Sequence, residues 1–395
     1  MPALLVVAIV VFLEVVCLGA IWPTLPRYVT ETFGGSETAA GLLFACVAAP
    51  KLFSNPLWGR ASDRSGRKGV LMLLCAATAG GSAMWALSPA LGAWVGGGLV
   101  WLAASRLIYG VFSAQATLAF AVASDVSTPE KRAGALGVLG AAFGAGLTVG
   151  FPAGGWVADA YGYAAVGWLC MACELLAVAI VALALRETRT VEAGARPTRL
   201  LGLFGRDAIR WLVAVALLNT VGLSVLTPTL SLYVRDEFGF DPRQAGYAFL
   251  VFGVVSVIVQ GGLIRPVVKA VGERAAFAGG SMLLAAGFII LALTPPPAAA
   301  WPALALIGAG AGFTSPTLAA MFSRSVDPAE QGAAHGLNQS VLSLGRTVAY
   351  GFAGAAYAAA VALPYWIGAA LLLAAAAPLA RLTLARSKTP TTGDD

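Results

Sequence analysis

Twelve long apolar segments divide this chain of 395 residues, and they constrain its fold more than any other feature. The segments lie at roughly 4–28, 38–58, 69–88, 97–123, 133–158, 163–185, 210–233, 244–264, 275–294, 300–321, 333–358 and 362–384. Such segments are long enough to cross about 30 Å of hydrocarbon, where a helix satisfies every backbone polar group. Only 11% of the residues are charged, against about 25% in soluble proteins. The sequence therefore predicts an all-α membrane protein with twelve transmembrane helices.

Lysine and arginine are distributed unevenly over the predicted loops. If both termini are cytoplasmic, nineteen of these 25 residues lie in cytoplasmic loops and tails, three in external loops and three inside helices. Because basic residues favour cytoplasmic loops, this bias predicts that both termini are cytoplasmic. Membrane topology also accounts for the net charge of +6, and we expect no nucleic-acid partner.

The two halves of the chain repeat one pattern. A shift of 205 residues places seven residues of the first half on identical residues of the second: Pro23 on Pro228, Leu25 on Leu230, Tyr28 on Tyr233, Phe33 on Phe238, Gly34 on Gly239, Gly41 on Gly246 and Arg60 on Arg265. A shift of 199 residues pairs three later glycines in the same way: Gly137 with Gly336, Gly146 with Gly345 and Gly155 with Gly354. We predict two pseudo-symmetric six-helix bundles at 1–185 and 211–386, a cytoplasmic linker at 186–210 and a cytoplasmic tail at 387–395.

A short basic loop joins the second and third predicted helices. Its pattern, G-x-small-x-D-R-x-G-R-K, is carried by Gly59, Asp63, Arg64, Gly66, Arg67 and Lys68. The loop resembles the signature loop of the major facilitator superfamily, a family of membrane transporters. This resemblance implies a substrate site near the membrane centre, between two six-helix bundles. It also implies that Asp63 holds the cytoplasmic side closed by meeting the start of the eleventh helix.

A further expectation and an alternative interpretation concern this loop. Asp125 and Arg132, which follow the fourth predicted helix, are expected to form ion pairs with it. The alternative interpretation is a basic turn that only fixes a helical hairpin to the cytoplasmic face.

The fifth predicted helix contains a glycine-rich motif, formed by Gly146, Gly150, Pro152, Gly154 and Gly155. It resembles the antiporter signature G-x-x-x-G-P-x-x-G-G, with the proline one position late. The alternative is close packing of helices through small residues.

The first predicted helix carries Glu14 nine positions before Pro23, within a G-x-x-x-P-x-L-P run. This arrangement resembles the tetracycline and multidrug proton antiporter branch of the superfamily, in which an acidic residue occupies that position. The internal repeat gives Asn219 the equivalent place in the seventh helix. The eleventh helix resembles the same branch at Asn338, Gln339 and Arg346.

Five ionisable side chains lie inside the predicted helices: Glu14, Lys51, Arg106, Glu174 and Arg346. Each costs about 2.5 to 3.5 kcal/mol at a helix centre, so each needs a partner or an aqueous cavity. Glu14 is the predicted proton carrier, and a fixed ion pair with Lys51 is the alternative. Arg106 begins an R-x-x-x-G pattern whose resemblance implies support of the proton relay, with packing against backbone carbonyls as the alternative. Glu174 is interpreted as half of a structural pair.

These observations favour a proton-coupled efflux antiporter of small organic molecules or drugs, working by alternating access. Its substrate cavity is predicted to include Glu14, Lys51, Arg106, Asn219, Asn338, Gln339 and Arg346. The three buried cations among them instead suit a facilitator or symporter for an anionic organic metabolite. A non-transporting membrane receptor or scaffold is a third interpretation.

The sequence contains no pattern for nucleophilic catalysis, nucleotide hydrolysis or metal binding, so we expect no enzyme, no cofactor and no metal site. The expected partners are a small-molecule substrate, protons and the lipid bilayer. We expect a monomer in the bacterial inner membrane.

Overall fold

A computed structural model describes residues 2–188, 207–294, 296–326 and 330–387. Over these ranges the regular structure is helical and contains no strand. The α-helices are α1 (Ala3–Arg27), α2 (Glu37–Ser65), α3 (Arg67–Val95), α4 (Gly98–Phe112), α5 (Gln115–Asp125), α6 (Pro129–Tyr161), α7 (Tyr163–Ala184), α8 (Asp207–Ser224), α9 (Leu226–Phe238), α10 (Pro242–Ile258), α11 (Ile264–Ala292), α12 (Pro297–Arg324), α13 (Gln331–Ala359) and α14 (Leu363–Ser387). Short π-helical segments, Tyr28–Thr32 and Val259–Leu263, continue α1 and α10.

Nine helical segments of the described residues are long and apolar enough to cross a membrane. One of them, Pro242–Ala292, contains two predicted helices, because the backbone at Gly272 leaves the helical region with φ 82° and ψ 164°. The last two predicted helices correspond to α13 and α14. The prediction of an all-α membrane fold with twelve helices is therefore confirmed.

Two of the predicted helices are interrupted. The predicted helix at 97–123 is divided into α4 and α5, because Ser113 and Ala114 leave the helical region with ψ of 67° and 17°. The predicted helix at 210–233 is divided into α8 and α9 at Val225. An interruption leaves backbone N–H groups at the start of the following helix without carbonyl partners from their own helix.

The chain forms two compact units. Unit 1 comprises Met1–Ala195, Thr227–Leu250 and Tyr350–Ala359; unit 2 comprises Arg196–Leu226, Val251–Ala349 and Ala360–Asp395. Residues 189–206 and 388–395 lie outside the described ranges, so most of the predicted linker and tail cannot be compared with the structure. The division into bundles at 1–185 and 211–386 stays a prediction.

Within unit 1 the sequence repeat is reproduced in the packing. A Cβ added at Gly41 would lie 2.7 Å from the carbonyl oxygen of Tyr350, and one added at Gly246 would lie 2.6 Å from that of Phe151. The rings beside these contacts match as well, because Phe44 and Tyr350 have centroids 5.4 Å apart, as do Phe249 and Phe151. The shifts of 205 and 199 residues convert one set of contacts into the other.

Unit 2 is built around an apolar core. Phe277 of α11, Leu318 and Phe322 of α12 and Ala375 of α14 are buried in it. Glycines bring α8 and α14 together, since a Cβ added at Gly222 would lie 3.0 Å from the carbonyl oxygen of Gly368.

Candidate functional site

Glu14 lies in the interior of unit 1, where its side chain contacts the start of another helix. The residue is 7% exposed, and its Oε2 accepts the backbone N–H of Ala116 at 3.1 Å. Ala116 belongs to the first turn of α5, which begins after the interruption at Ser113 and Ala114. A helix N-terminus has unsatisfied N–H groups and a partial positive charge, so it stabilises an ionised carboxylate. The broken helix thus supplies a partner for Glu14.

Two cations accompany Glu14 in unit 1. Lys51 of α2 interacts electrostatically with Glu14, and its Nζ lies 5.8 Å from the ring centroid of Tyr109. Arg106 of α4 is 1% exposed, and its Cζ lies 4.5 Å from the ring centroid of Trp85 and 5.4 Å from that of Tyr109. Arg106 therefore packs on aromatic rings, which stabilise a cation through the negative face of the π-system.

The predicted site residues of unit 2 differ in exposure. Asn219 and Asn338 are buried, whereas Gln339 and Arg346 are exposed. The Oδ1 of Asn219 accepts the hydroxyl of Ser281 at 3.3 Å. The Oδ1 of Asn338 has no hydrogen-bond partner among the described residues. That all seven predicted residues line one cavity stays a prediction.

In the signature loop, Arg67 connects several groups. Its Nη1 lies 2.6 Å from Asp63 Oδ1 and donates to Ser62 Oγ at 2.6 Å, while its Nε lies 3.0 Å from Asp125 Oδ2. Asp63 therefore pairs inside its own loop, and its proposed lock on the eleventh helix stays a prediction. The side chain of Arg132 lies outside the described part of the chain.

The other signature residues meet the end of the sixth predicted helix. The ammonium of Lys68 donates to the carbonyl oxygen of Ala182 at 2.8 Å. The carboxylate of Glu187 accepts the N–H groups of Arg67 and Lys68 at 2.8 and 3.2 Å. Sequence reasoning missed Glu187, although an acidic residue just after an apolar segment and near a basic loop was the available signal. The loop turns at Gly66, whose φ of 99° favours glycine, and Gly59 and Arg64 precede it on α2.

The glycine-rich motif packs α6 directly against α1. A Cβ added at Gly146 would lie 2.8 Å from the carbonyl oxygen of Phe12, and one at Gly150 would lie 2.5 Å from that of Val16. Gly154 meets Ala20 in the same way one turn later. Gly155 instead faces α10, where an added Cβ would lie 2.5 Å from the carbonyl oxygen of Pro242, and Pro152 lies inside α6. The motif therefore packs these helices closely, as the alternative interpretation expects, and its role as an antiporter signature stays a prediction.

Glu31 lies in the short π-helical segment that follows α1, and it is the centre of an ion-pair cluster. Its Oε1 lies 2.8 Å from Arg27 Nε and 3.3 Å from Arg235 Nη1, and its Oε2 accepts the hydroxyl of Tyr163 at 2.6 Å. Arg27 also donates to the carbonyl oxygen of Phe240 at 3.0 Å. The sequence pattern alone does not connect Arg235 with Glu31, because the two are 204 residues apart in the chain.

The fold and these buried charges define a secondary membrane transporter. The sequence profile of the Major Facilitator Superfamily matches residues 7–350. The chain is 28% identical over 394 residues to the tetracycline resistance protein, class C, of Escherichia coli, covering 94% of each chain. It is 29% identical over 404 residues to the class G protein of Vibrio anguillarum, covering 97% of this chain and 98% of that protein.

Solved structures agree on the fold. A D-xylose-proton symporter superposes with a TM-score of 0.77 at 18% identity, covering 95% of this chain and 96% of that one. The chain belongs to the Major Facilitator Superfamily. It is a multi-pass membrane transporter for small molecules and not an enzyme.

Proposed function

We propose that this protein is a proton-coupled efflux antiporter for small organic molecules of the tetracycline kind, with Glu14 as the proton carrier. The observation that carries the proposal is the buried carboxylate of Glu14 at the N-terminus of α5. The ionised form gains the N–H of Ala116, and the protonated form avoids the cost of a buried charge. A side chain with two such accessible states can exchange a proton for cargo.

The similarity to tetracycline resistance proteins over nearly the whole chain supports this cargo class. The packing of Arg106 supports antiport over carriage of an anionic metabolite, because its charge already faces two aromatic rings. For the same protein we propose both termini in the cytoplasm, the bacterial inner membrane as its location, and a monomeric state. The uneven distribution of lysine and arginine supports that orientation.

Transport in proteoliposomes with an imposed pH gradient tests the proposal. The parent protein should accumulate tetracycline against its concentration gradient, and a protonophore should abolish that accumulation. Glu14→Gln should abolish uphill transport but retain exchange of labelled for unlabelled tetracycline, because the amide keeps the shape of the side chain without titrating.

Glu237→Gln is the matched control, because Glu237 is an exposed carboxylate of α9. It should transport as the parent does. Undiminished uphill transport by Glu14→Gln would contradict the role of Glu14. Uptake of organic anions by the parent protein, with no response to tetracycline, would favour the anion transporter instead.

A further inference from the structure

Glu174 of α7 belongs to the interior of unit 1. It is 1% exposed and lies on the buried face of its helix, between Cys170 and Ala177. This face packs against α1, since the thiol of Cys17 donates to the carbonyl oxygen of Cys170 at 3.6 Å. Cys17 lies one helical turn after Glu14, so α1 and α7 place the two glutamates in the same interior.

Polar side chains connect the two glutamates. The amide nitrogen of Gln115 donates to Thr78 Oγ1 at 3.0 Å, and both of these residues lie beside Glu174. Gln115 immediately precedes Ala116, the residue that donates its N–H to Glu14. Glu14 and Glu174 also interact electrostatically with each other. The polar region extends from one carboxyl group to the other across α5.

The two carboxyl groups differ in their partners. Glu14 accepts a hydrogen bond from a helix N-terminus. Within the described ranges neither oxygen of Glu174 has a partner at normal hydrogen-bond geometry, and the groups beside it are neutral donors, the hydroxyl of Thr78 and the amide of Gln115. The structural pair predicted for Glu174 is therefore not found there. A buried carboxylate that has no cation and only neutral donors at long distance beside it costs several kcal/mol, and a second negative charge nearby adds to that cost.

Protonation of Glu174 would remove this cost of a buried carboxylate. Protonation converts one oxygen of Glu174 into a donor, and Oε1 of neighbouring Gln115 is a buried acceptor that also lacks a partner. One proton would thus remove a buried charge and satisfy two unpaired groups. Paired titratable groups in unlike environments divide the charged and neutral roles between them.

Other titratable and charged groups face this region. They are Cys17 of α1, Lys51 of α2, Cys75 of α3, Arg106 and Tyr109 of α4, and Cys170 and Cys173 of α7. Arg106 is directed at the rings of Trp85 and Tyr109, and Lys51 interacts with Glu14. Both cations thus have partners other than Glu174.

We propose that Glu174 is a second proton-binding residue, coupled to Glu14 so that the pair holds two protons or one but is not fully ionised during transport. When the pair loses one proton, that proton leaves to bulk water, the charge resides on Glu14, and Glu174 stays protonated. This inference rests on the proposed function, because it gives the proton carrier a partner. It assigns Glu174 a positioning role, since its neutral state sets the charge that Glu14 can carry.

Infrared difference spectroscopy of the purified protein, titrated with pH in detergent, tests the pair without substrate or transport. The carbonyl stretch of protonated carboxylic acids reports each neutral glutamate directly. The parent protein should show a Glu174 band that persists to a pH at which the Glu14 band has disappeared. Glu174→Gln should remove the persistent band and leave the pH midpoint of the Glu14 band close to that of the parent, because a neutral amide then replaces a neutral acid.

Glu174→Asp should restore a persistent acid band, whereas a merely structural role would be met by the amide as well. Thermal unfolding of each variant establishes that it is folded. If Glu174→Gln fails to fold, the Glu174→Asp and Glu14→Gln spectra still decide, because both keep the acid band of residue 174 under the proposal. A carboxyl spectrum unchanged by Glu174→Gln would overturn the proposal.

These outcomes are separate from those for the proposed function. A persistent Glu174 band together with full uphill transport by Glu14→Gln would overturn the antiport role of Glu14 and leave the coupled pair in place. Loss of uphill transport in Glu14→Gln without any Glu174 band would support the antiport role of Glu14 and overturn the coupled pair.

Discussion

At the scale of single residues, the interaction between Lys51 and Glu14 can be measured. It interacts electrostatically with Glu14 across the interior of unit 1. If this attraction stabilises the fold, Lys51→Gln and Glu14→Gln should not add, and their coupling energy should be on the order of 0.5 to 3 kcal/mol. The measurement is a double-mutant cycle of unfolding free energies in detergent.

Lys51→Arg is the control, because it keeps the positive charge and should retain most of the coupling. Effects of the two glutamine variants that add within about 0.5 kcal/mol would show that Lys51 acts independently of Glu14. In that case a contact between Lys51 and an anionic cargo becomes the better explanation of a charge at this depth.

The sequence identified Glu14, Lys51 and Arg106 because charges inside apolar segments stand out against their cost. It did not identify the partner of Glu14, because that partner is the backbone N–H of Ala116 and becomes available only where the helix is interrupted. Residues 113 and 114 are serine and alanine, neither of which signals a break. The unpaired state of Glu174 likewise depends on tertiary packing and not on local pattern.

At the scale of elements, the glycines between α1 and α6 make a testable contact. Gly150→Ala would place a Cβ 2.5 Å from the backbone carbonyl of Val16, so one helix must move. We expect a loss of about 1 to 3 kcal/mol in the unfolding free energy, which is typical of overpacking. Thermal or denaturant unfolding in detergent measures this loss.

Gly140→Ala is the matched control on the same helix, since a Cβ there meets nothing within 4 Å. It should be neutral or stabilise by about 0.4 to 1 kcal/mol, because alanine restricts the unfolded chain. Equal stabilities of the two variants would show that the contact between α1 and α6 tolerates a wider spacing of these helices than the structure has.

Element type followed from apolar length, because a lipid environment leaves helices as the only way to satisfy the backbone. The residues at which the helices begin and end were harder to predict from the sequence. The turn at Gly66 was visible as a glycine in a basic loop, and Gly272 repeats it with a similar backbone at φ 82°. The interruption at Val225 does have a local signal, because Pro228 has no N–H to donate to the carbonyl oxygen of Ser224 four residues earlier.

At the scale of the whole molecule, the Glu31 cluster bears on the cycle of opening and closing. Arg27, Arg235 and Tyr163 converge on one carboxylate, and Ala245, in the first turn of α10, is completely buried. Glu31→Gln removes the charge on which these contacts depend. A partly exposed ion pair contributes up to about 1 kcal/mol, so the population with this end open should rise roughly fivefold.

A cysteine at Ala245, on a background without the five native thiols, should react faster with an impermeant maleimide in Glu31→Gln than in the parent. A cysteine at Ala121 of α5, toward the signature loop, should react more slowly, because alternating access closes one end as the other opens. Glu237→Gln, an exposed carboxylate near Arg235, should change neither rate. Faster labelling at both positions would indicate general loosening of the helices, and unchanged labelling at both would show that the cluster does not hold this end closed.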